Sequence, residues 1–422
     1  MINLNQKTKN ILSWSAYDFA NAPFSTLVVT FIYATYFTQA IAPDPITGTV
    51  LWSRAIAITG IIVALFSPFL GAIADCGTYR KKFIILSTLI CVIFTAALYP
   101  VLPGYVFTAL LFFVIANLSY EFSLVFYNSF LSDISNSSNI GRISGFAWAI
   151  GYLGGLLTLT IALIGFVQPE IPWFGLSKVS GENIRATNLL VASWFLLFSI
   201  PLIYFLEDKE ITIKTSENII IKSYYQLKNT WIEIKNYKEV IKFLIARMFY
   251  NDGMITVFAF GGIYAAETFN FTLTEVLIFG IVMNISAGLG AFIMGYIDDF
   301  LGGKRTILIS LTFLFISTML AVLANDRLWL WVAGAIFGFF TGPNQSASRS
   351  FMARLIPEQK KNEFFGFYAF SGKLTAFIGP FLLGLLTQWS GSQRIGVSIV
   401  LLLLFTGFVL LLKVDDSKLR SL

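Results

Sequence analysis

The 422-residue chain has no histidine, two cysteines and little charge: only 12% of its residues are Asp, Glu, Lys or Arg, against 56% hydrophobic and 16% aromatic. Soluble globular chains carry about 25% charged residues. A chain this apolar cannot cover its surface in water, which argues against a soluble enzyme, a nucleic-acid binder or a disordered protein. Without histidine there is no imidazole acid–base catalysis, no Ser-His triad and no imidazole metal site. Cys76 and Cys91 are too few for a metal cluster. One reads as loop and the other as helix, so no disulfide is expected. No Gly-x-x-x-x-Gly-Lys-Ser/Thr run occurs, so no ATP site is expected. No cofactor, metal, ATP or nucleic-acid partner is expected, and the net charge of +6 needs another account.

Apolar windows are abundant. A hydrocarbon core of about 30 Å needs roughly 20 apolar residues in helical form. Twelve such windows run near 13–40, 51–74, 83–101, 105–131, 143–167, 187–206, 240–265, 274–297, 306–323, 328–351, 364–388 and 394–412. The first is too long for the apolar region of a signal peptide and lacks a small-residue cleavage site, so it reads as a retained span. The expected fold class is therefore an all-α, multi-pass membrane protein of twelve helices. With the N-terminus inside, the outer loops hold only Arg54, Lys178, Arg185, Arg327 and Arg394. The inner segments hold the clusters Arg80-Lys81-Lys82, Lys304-Arg305 and Lys360-Lys361, and the lysines of 209–238. Both termini are expected on the cytoplasmic side of a bacterial inner membrane. The positive charge is then a topology signal, with the lipid bilayer as the partner.

The one long polar stretch divides the chain into an N-terminal bundle (1–206), a linker (207–239) and a C-terminal bundle (240–422). Within the linker Ile220, Tyr224, Leu227, Trp231 and Ile234 recur in alternating steps of four and three, with Lys222, Lys228 and Lys235 off the stripe. That pattern reads as an amphipathic helix on the inner membrane surface. The halves also repeat each other. Gly71-x-x-x-Asp75 followed by Arg80 matches Gly295-x-x-x-Asp299 followed by Lys304 and Arg305. Ser129-Phe130, Gly145-Phe146 and Gly151 match Ser350-Phe351, Gly366-Phe367 and Gly372 at one constant offset. Two parallel-related six-helix halves imply a transporter with its substrate site between them near mid-membrane.

The doubled Gly-x-x-x-Asp-plus-basic loop is similar to the signature of the major facilitator superfamily. Within it, the chain resembles the branch named for fungal vacuolar amino-acid effluxers and their bacterial relatives. The carrying segments are Ser13–Asn21, Tyr127–Ile134, Gly141–Gly145, Gly151–Gly155, Tyr250–Gly253 and Gly342–Ser350, followed by Ala353–Pro357. Cys76 departs from the pattern, standing where the superfamily usually has Arg, and Thr78 stands where it often has Gly. The first-half loop is therefore expected to hold its closed state less firmly. The resemblance implies that spans one, four, seven and ten line a central cavity. It further implies that Asp75 approaches the start of span eleven and Asp299 the start of span five, closing the cytoplasmic side. Arg80, Arg142, Arg247 and Lys304 join these as gate candidates; a plain loop salt bridge to Arg80 or Lys304 is the alternative.

A charge inside a span costs about 3 kcal/mol on insertion scales, so each one needs a reason. With histidine absent, Asp18, Glu121 and Asp252 are the candidates for proton coupling. The alternative is a fixed pair, Asp18 with Arg247 for instance. Tyr17, Asn21, Asn128, Asn251, Asn344, Gln345, Arg349 and Lys373 are candidates for the substrate cavity; helix bridging is the competing reading for each amide. Lys373 could equally snorkel or pair with an acid. Pro23, Pro68, Pro343 and Pro380 should kink their spans. The expected function is secondary transport of a small polar solute, by resemblance amino-acid efflux, with protons as candidate coupling ion. Uptake or antiport of a metabolite, and a non-transporting nutrient sensor, are the alternatives. The topology is testable in a Cys76→Ser/Cys91→Ser background. An impermeant thiol reagent added to intact cells should label single cysteines placed at 174–180 and spare those at 209–218. The reverse pattern would invert the chain.

Overall fold

The computed structural model describes residues 5–77, 79–208 and 219–417. Thr78, the lysines at 209 and 214 and both chain ends lie outside them, as does the side chain of Ile234. Most of the described chain is helical: α1 (Gln6–Ile41), α2 (Pro45–Cys76), α3 (Arg80–Ala97), α4 (Val106–Ile134), α5 (Ile140–Val167) and α6 (Glu182–Phe205), then α7 (Ile219–Ile232) in the linker, and α8 (Lys238–Phe269), α9 (Leu273–Leu301), α10 (Gly303–Leu323), α11 (Arg327–Leu355), α12 (Lys361–Leu374), α13 (Ile378–Ser390) and α14 (Gln393–Leu412). Ten segments are long and apolar enough to cross a membrane, α12 and α13 together making one of them. The other two crossings are α3, short and opening on three basic residues, and α11, diluted by the polar run 344–350.

Local chemistry explains the ends. Asp44 caps α2: its carboxylate accepts from the Ile46 and Thr47 N–H groups at 3.0 and 2.9 Å, and Pro45 opens the helix. The Thr47 hydroxyl and these N–H donors hold the Asp44 carboxyl below its usual range. Thr272 and Glu275 form a capping box at α9. Pro23 does not stop α1. The helix passes instead into wide π turns over Phe24–Phe31 and Phe37–Ile41, as local strain in a long helix permits. Near Pro380 the chain does break. The proline ring clashes with the carbonyl four residues earlier, and residues 375–377 are non-helical between α12 and α13. The eleventh window is thus two helices rather than one.

Alternation along the chain brings the starts of α1, α3, α5, α8, α10 and α12 to one face, together with the ends of α2, α4, α6, α9, α11 and α14. Both described chain ends lie there; we call it the terminus face. Helices α1–α6 pack mainly among themselves, as do α8–α14. The two six-helix bundles meet chiefly where α2 packs on α12 and α5 on α9. These contacts are at backbone distance. A Cβ built on Gly71 would lie 2.2 Å from the Asn362 carbonyl oxygen, one on Gly366 2.4 Å from that of Ser67, and one on Gly145 2.3 Å from that of Ala291. Small residues at such crossings allow the dispersion contact that replaces the hydrophobic effect in lipid. Gly60, on the opposite half of α2, has no atom within 4 Å of its would-be Cβ. Gly71→Val should therefore destabilise the protein by about 1–3 kcal/mol through overpacking, with Gly60→Ala near neutral. Thermal unfolding in detergent measures both, and equal midpoints would refute the packing account.

Candidate functional site

Three layers of polar groups join the halves. The first lies at the terminus face and is built on two helix starts. The first N–H groups of a helix lack intrahelical partners and carry partial positive charge. Asp75, at the end of α2, accepts from the N–H groups of Asn362 and Glu363 at 3.0 and 2.8 Å and from the Asn362 amide at 2.7 Å. Asp299, at the end of α9, accepts from the N–H groups of Gly141 and Arg142 at 2.6 and 3.2 Å, with the Arg142 guanidinium 3.4 Å away. Each carboxylate thus caps a helix of the other half. Lys361 adds a cross-half ion pair to Asp133 at 2.8 Å, and Ser129 donates to Asn362 Oδ1 at 2.5 Å.

The second layer is a buried arginine. Arg349 of α11 is 2% exposed. It binds Asp18 of α1 at 2.9 Å, the Ser144 carbonyl and hydroxyl of α5 at 2.8 and 3.0 Å, and Asn128 Oδ1 of α4 at 3.4 Å. The rings of Trp14, Tyr127 and Trp148 surround it, 4.8, 5.7 and 5.6 Å from its guanidinium carbon. All these partners belong to the first half. Nearby, Ser144 donates to the Ser346 carbonyl at 2.8 Å and Tyr152 to Gln345 Oε1 at 3.2 Å.

The third layer is deeper. Lys373 of α12 and Glu121 of α4 pair across the halves at 2.6 Å, with 34% and 15% of their side chains exposed. At 1.5 Å per residue each sits about 18–20 Å from the terminus-face end of its helix. Asp252 of α8 lies at similar depth and caps α13: its Oδ2 accepts from the Gly379 N–H at 2.9 Å. Its Oδ1 is buried and has no partner among the described residues, and the same holds for both amide atoms of Asn344. Among the described residues, every hydrogen bond between the halves lies in these layers, and none joins them at the opposite face.

Several expected site residues are engaged elsewhere. Asp18 pairs with Arg349, not Arg247. Arg247 stays within the second half, donating to the Tyr368 carbonyl and the Ser371 hydroxyl at 2.9 Å each and stacking on the Tyr368 ring. Asp75 has no bond to Arg80, which is turned to Asp133 of the first half at 2.6 Å and to Asp208 at the start of the linker at 2.7 Å. Lys304 binds the carbonyls of Leu412 and Val414 at 3.1 and 2.6 Å. Tyr17 is fully buried and bonds Thr88 at 2.7 Å, and the Asn21 amide turns back to the Tyr17 carbonyl at 2.7 Å. Asn251 bridges to the Gly372 carbonyl at 3.3 Å. Cys76 is the last residue of α2 rather than part of a loop, and both cysteines are free. Ser144, Asn362, Asp133, Trp14 and Trp148 belong to these layers although no chemistry in the sequence points to them as site residues. Trp14, Asp133 and Ser144 do lie within the segments that carry the family resemblance, and Trp14 stands one helical turn before Asp18.

The Arg349 cage can be checked directly. Asp18→Asn leaves a buried guanidinium without its counter-charge, at an expected cost of about 3–5 kcal/mol. Adding Arg349→Met should recover most of it. Unfolding midpoints of the single and double variants read the effect, and a wild-type midpoint for Asp18→Asn would refute the pairing.

This geometry agrees with comparisons to known proteins. A family model described as "Vacuole effluxer Atg22 like" matches residues 45–421. An uncharacterized MFS-type transporter of Bacillus subtilis (strain 168), YxiO, is 28% identical over 415 residues, covering 97% of this chain and 96% of its own. Autophagy-related protein 22 of Coccidioides immitis (strain RS) is 24% identical, covering 86% of this chain and 72% of its own. Among solved structures, the transporter FucP in the outward conformation superposes with a TM-score of 0.77 at 12% identity, covering 98% of this chain and 100% of that one. The human organic anion transporter MFSD10 gives 0.75 at 13% identity, covering 97% and 100%. At such identities the structural likeness speaks for the fold alone.

Proposed function

The chain belongs to the Atg22-like vacuole effluxer family and is an MFS-type transporter, and from that premise we propose that it exports small zwitterionic solutes, amino acids or close relatives, in exchange for protons. One observation carries the reading. Among the described residues, the hydrogen bonds between the halves are confined to the terminus face and the two layers behind it, and none joins the halves at the opposite face. Rocking the halves about such layers gives alternating access. With the termini cytoplasmic, as the lysine and arginine bias favours, the described state is closed inward. The protein would then sit in a bacterial plasma membrane as two six-helix bundles, within 1–206 and 240–422, joined by the linker.

The site chemistry supports a substrate bearing both charges. Lys373 and Glu121 hold opposite charges at one depth, and Lys373 keeps a third of its side chain accessible. A solute carrying an ammonium and a carboxylate can replace each partner of that pair by the other's complement, at little electrostatic cost. Asp75 and Asp299 serve as the inner gate, because separating the halves removes their helix-start donors together. Asp252 is the favoured proton carrier: it has one unpartnered carboxylate oxygen, and no basic side chain among the described residues pairs with it.

The test is flux in vesicles of the purified full-length protein. An imposed pH gradient should drive amino-acid accumulation in the wild type. Asp252→Asn should abolish that response while keeping exchange of labelled for unlabelled solute. Gradient-driven flux in Asp252→Asn would remove Asp252 as the carrier, and absence of any amino-acid exchange in the wild type would overturn the substrate class.

A further inference from the structure

The linker helix has two unlike faces, and the gate uses only one. Helix α7 lies against the end of α2, with Ser223, Gln226 and Thr230 turned toward the protein. Gln226 joins the two halves: its Oε1 accepts from the Cys76 thiol at 3.1 Å, and its Nε2 donates to Glu363 Oε2 at 2.8 Å. Cys76 follows Asp75, and Glu363 supplies one of the N–H groups that Asp75 caps. Lys360, just before α12, donates to the Thr230 hydroxyl at 2.9 Å. The helix therefore spans the seam of the α2–α12 closure.

The other face is apolar and uncovered. Ile221, Tyr224, Tyr225, Trp231 and Ile232 are 55–70% exposed, and at 3.6 residues per turn they share the side opposite Gln226 and Thr230. Lys228 stands among them, Lys222 is half-buried at the edge of the protein-facing side, and Lys235 follows in the next turn of chain. Residues 219–232 contain no acidic residue. Tyrosine and tryptophan favour the headgroup level of a bilayer, and lysines there meet anionic lipid. The position fits. Helix α2 has 32 residues, about 48 Å of helix against a hydrocarbon core of about 30 Å, so its end at Cys76 reaches the headgroups.

We propose that α7 is a membrane-seated clamp: its aromatic face docks on an anionic lipid leaflet, and through Gln226 and Thr230 that docking holds the α2–α12 gate shut. Lipid composition then tunes the balance between the closed and open inner gate. The proposal rests on the cytoplasmic assignment of the terminus face, but its test reads a thiol and not flux. It therefore stands or falls separately from the amino-acid reading.

Cys76 is the reporter. It is 5% exposed under α7, while Cys91 is fully buried within α3 and serves as the unreactive reference. The full-length protein is reconstituted in vesicles of phosphatidylcholine alone or enriched in phosphatidylglycerol, and N-ethylmaleimide labelling of each cysteine is followed by mass spectrometry. Wild-type Cys76 should react about tenfold more slowly in the anionic vesicles. The triple variant Lys222→Gln/Lys228→Gln/Lys235→Gln should lose that difference, and Gln226→Leu should react fast in both lipids. Equal wild-type rates in the two lipids overturn the proposal, as does an unchanged lipid effect in the triple variant. If a variant misfolds, Cys91 becomes labelled, and the wild-type comparison alone decides.

Discussion

Arg349 is a full charge inside a membrane-spanning bundle, and its counter-charge and carbonyl partner belong to the other half. Desolvating a guanidinium is costly unless it is paired and hydrogen-bonded, so α11 of the second half must stay against α1 and α5 of the first wherever water does not reach. The aromatic ring set of Trp14, Tyr127 and Trp148 adds cation–π attraction in place of the lost water. The rest of the interface is arranged around this requirement. Ser144 sits where it can serve both Arg349 and the Ser346 carbonyl, and the glycines bring the backbones close enough for it to do so.

The two contacts at the terminus face use a different force. Asp75 and Asp299 each meet successive N–H groups at a helix start, where a carboxylate satisfies orphan donors and the helix dipole together. Such contacts are strong when made, and they break as a unit when the helix moves away. The two are not equivalent. Asp299 has Arg142 and Arg354 beside it, at 3.4 and 3.6 Å. Asp75 has the Asn362 amide, and behind it the Cys76–Gln226–Glu363 chain of hydrogen bonds. Where the loop signature would have a basic residue, this chain has a thiol, and the linker helix stands against it.

The break in the eleventh crossing follows from the same rule that backbone polar groups within a membrane need partners. Pro380 interrupts the helix, the Gly379 N–H is left over, and Asp252 supplies its acceptor. Helix α12 can therefore lean on α2 of the first half while α13 remains packed on α8. Asp252 is thus a structural cap as well as a carboxylate deep in the bundle.

Most of the fold was legible in the sequence. Twelve apolar windows and the doubled Gly-x-x-x-Asp loop state the class, the repeat and the pair of matching aspartates, because each follows from the bilayer's thickness or from a short local motif. The pairing of buried charges was not legible. Asp18 could have met Arg247 or Arg349, and Lys373 could have snorkelled. Which side chains meet depends on how helices distant in sequence rotate and cross, and no periodicity within one helix records that. The linker shows the same division. Its helix was readable from residue spacing, but the uncovered face is Ile221, Tyr224, Tyr225, Trp231 and Ile232 with Lys228 among them, and Leu227 of the expected stripe is half-buried; that face, and the polar contacts of Gln226 with both halves, follow from α2 and α12 ending side by side. The sequence by itself determined a twelve-helix membrane protein with two related halves. The tertiary structure alone decided which charges lock those halves together, because a buried charge takes whatever partner the packing brings within reach.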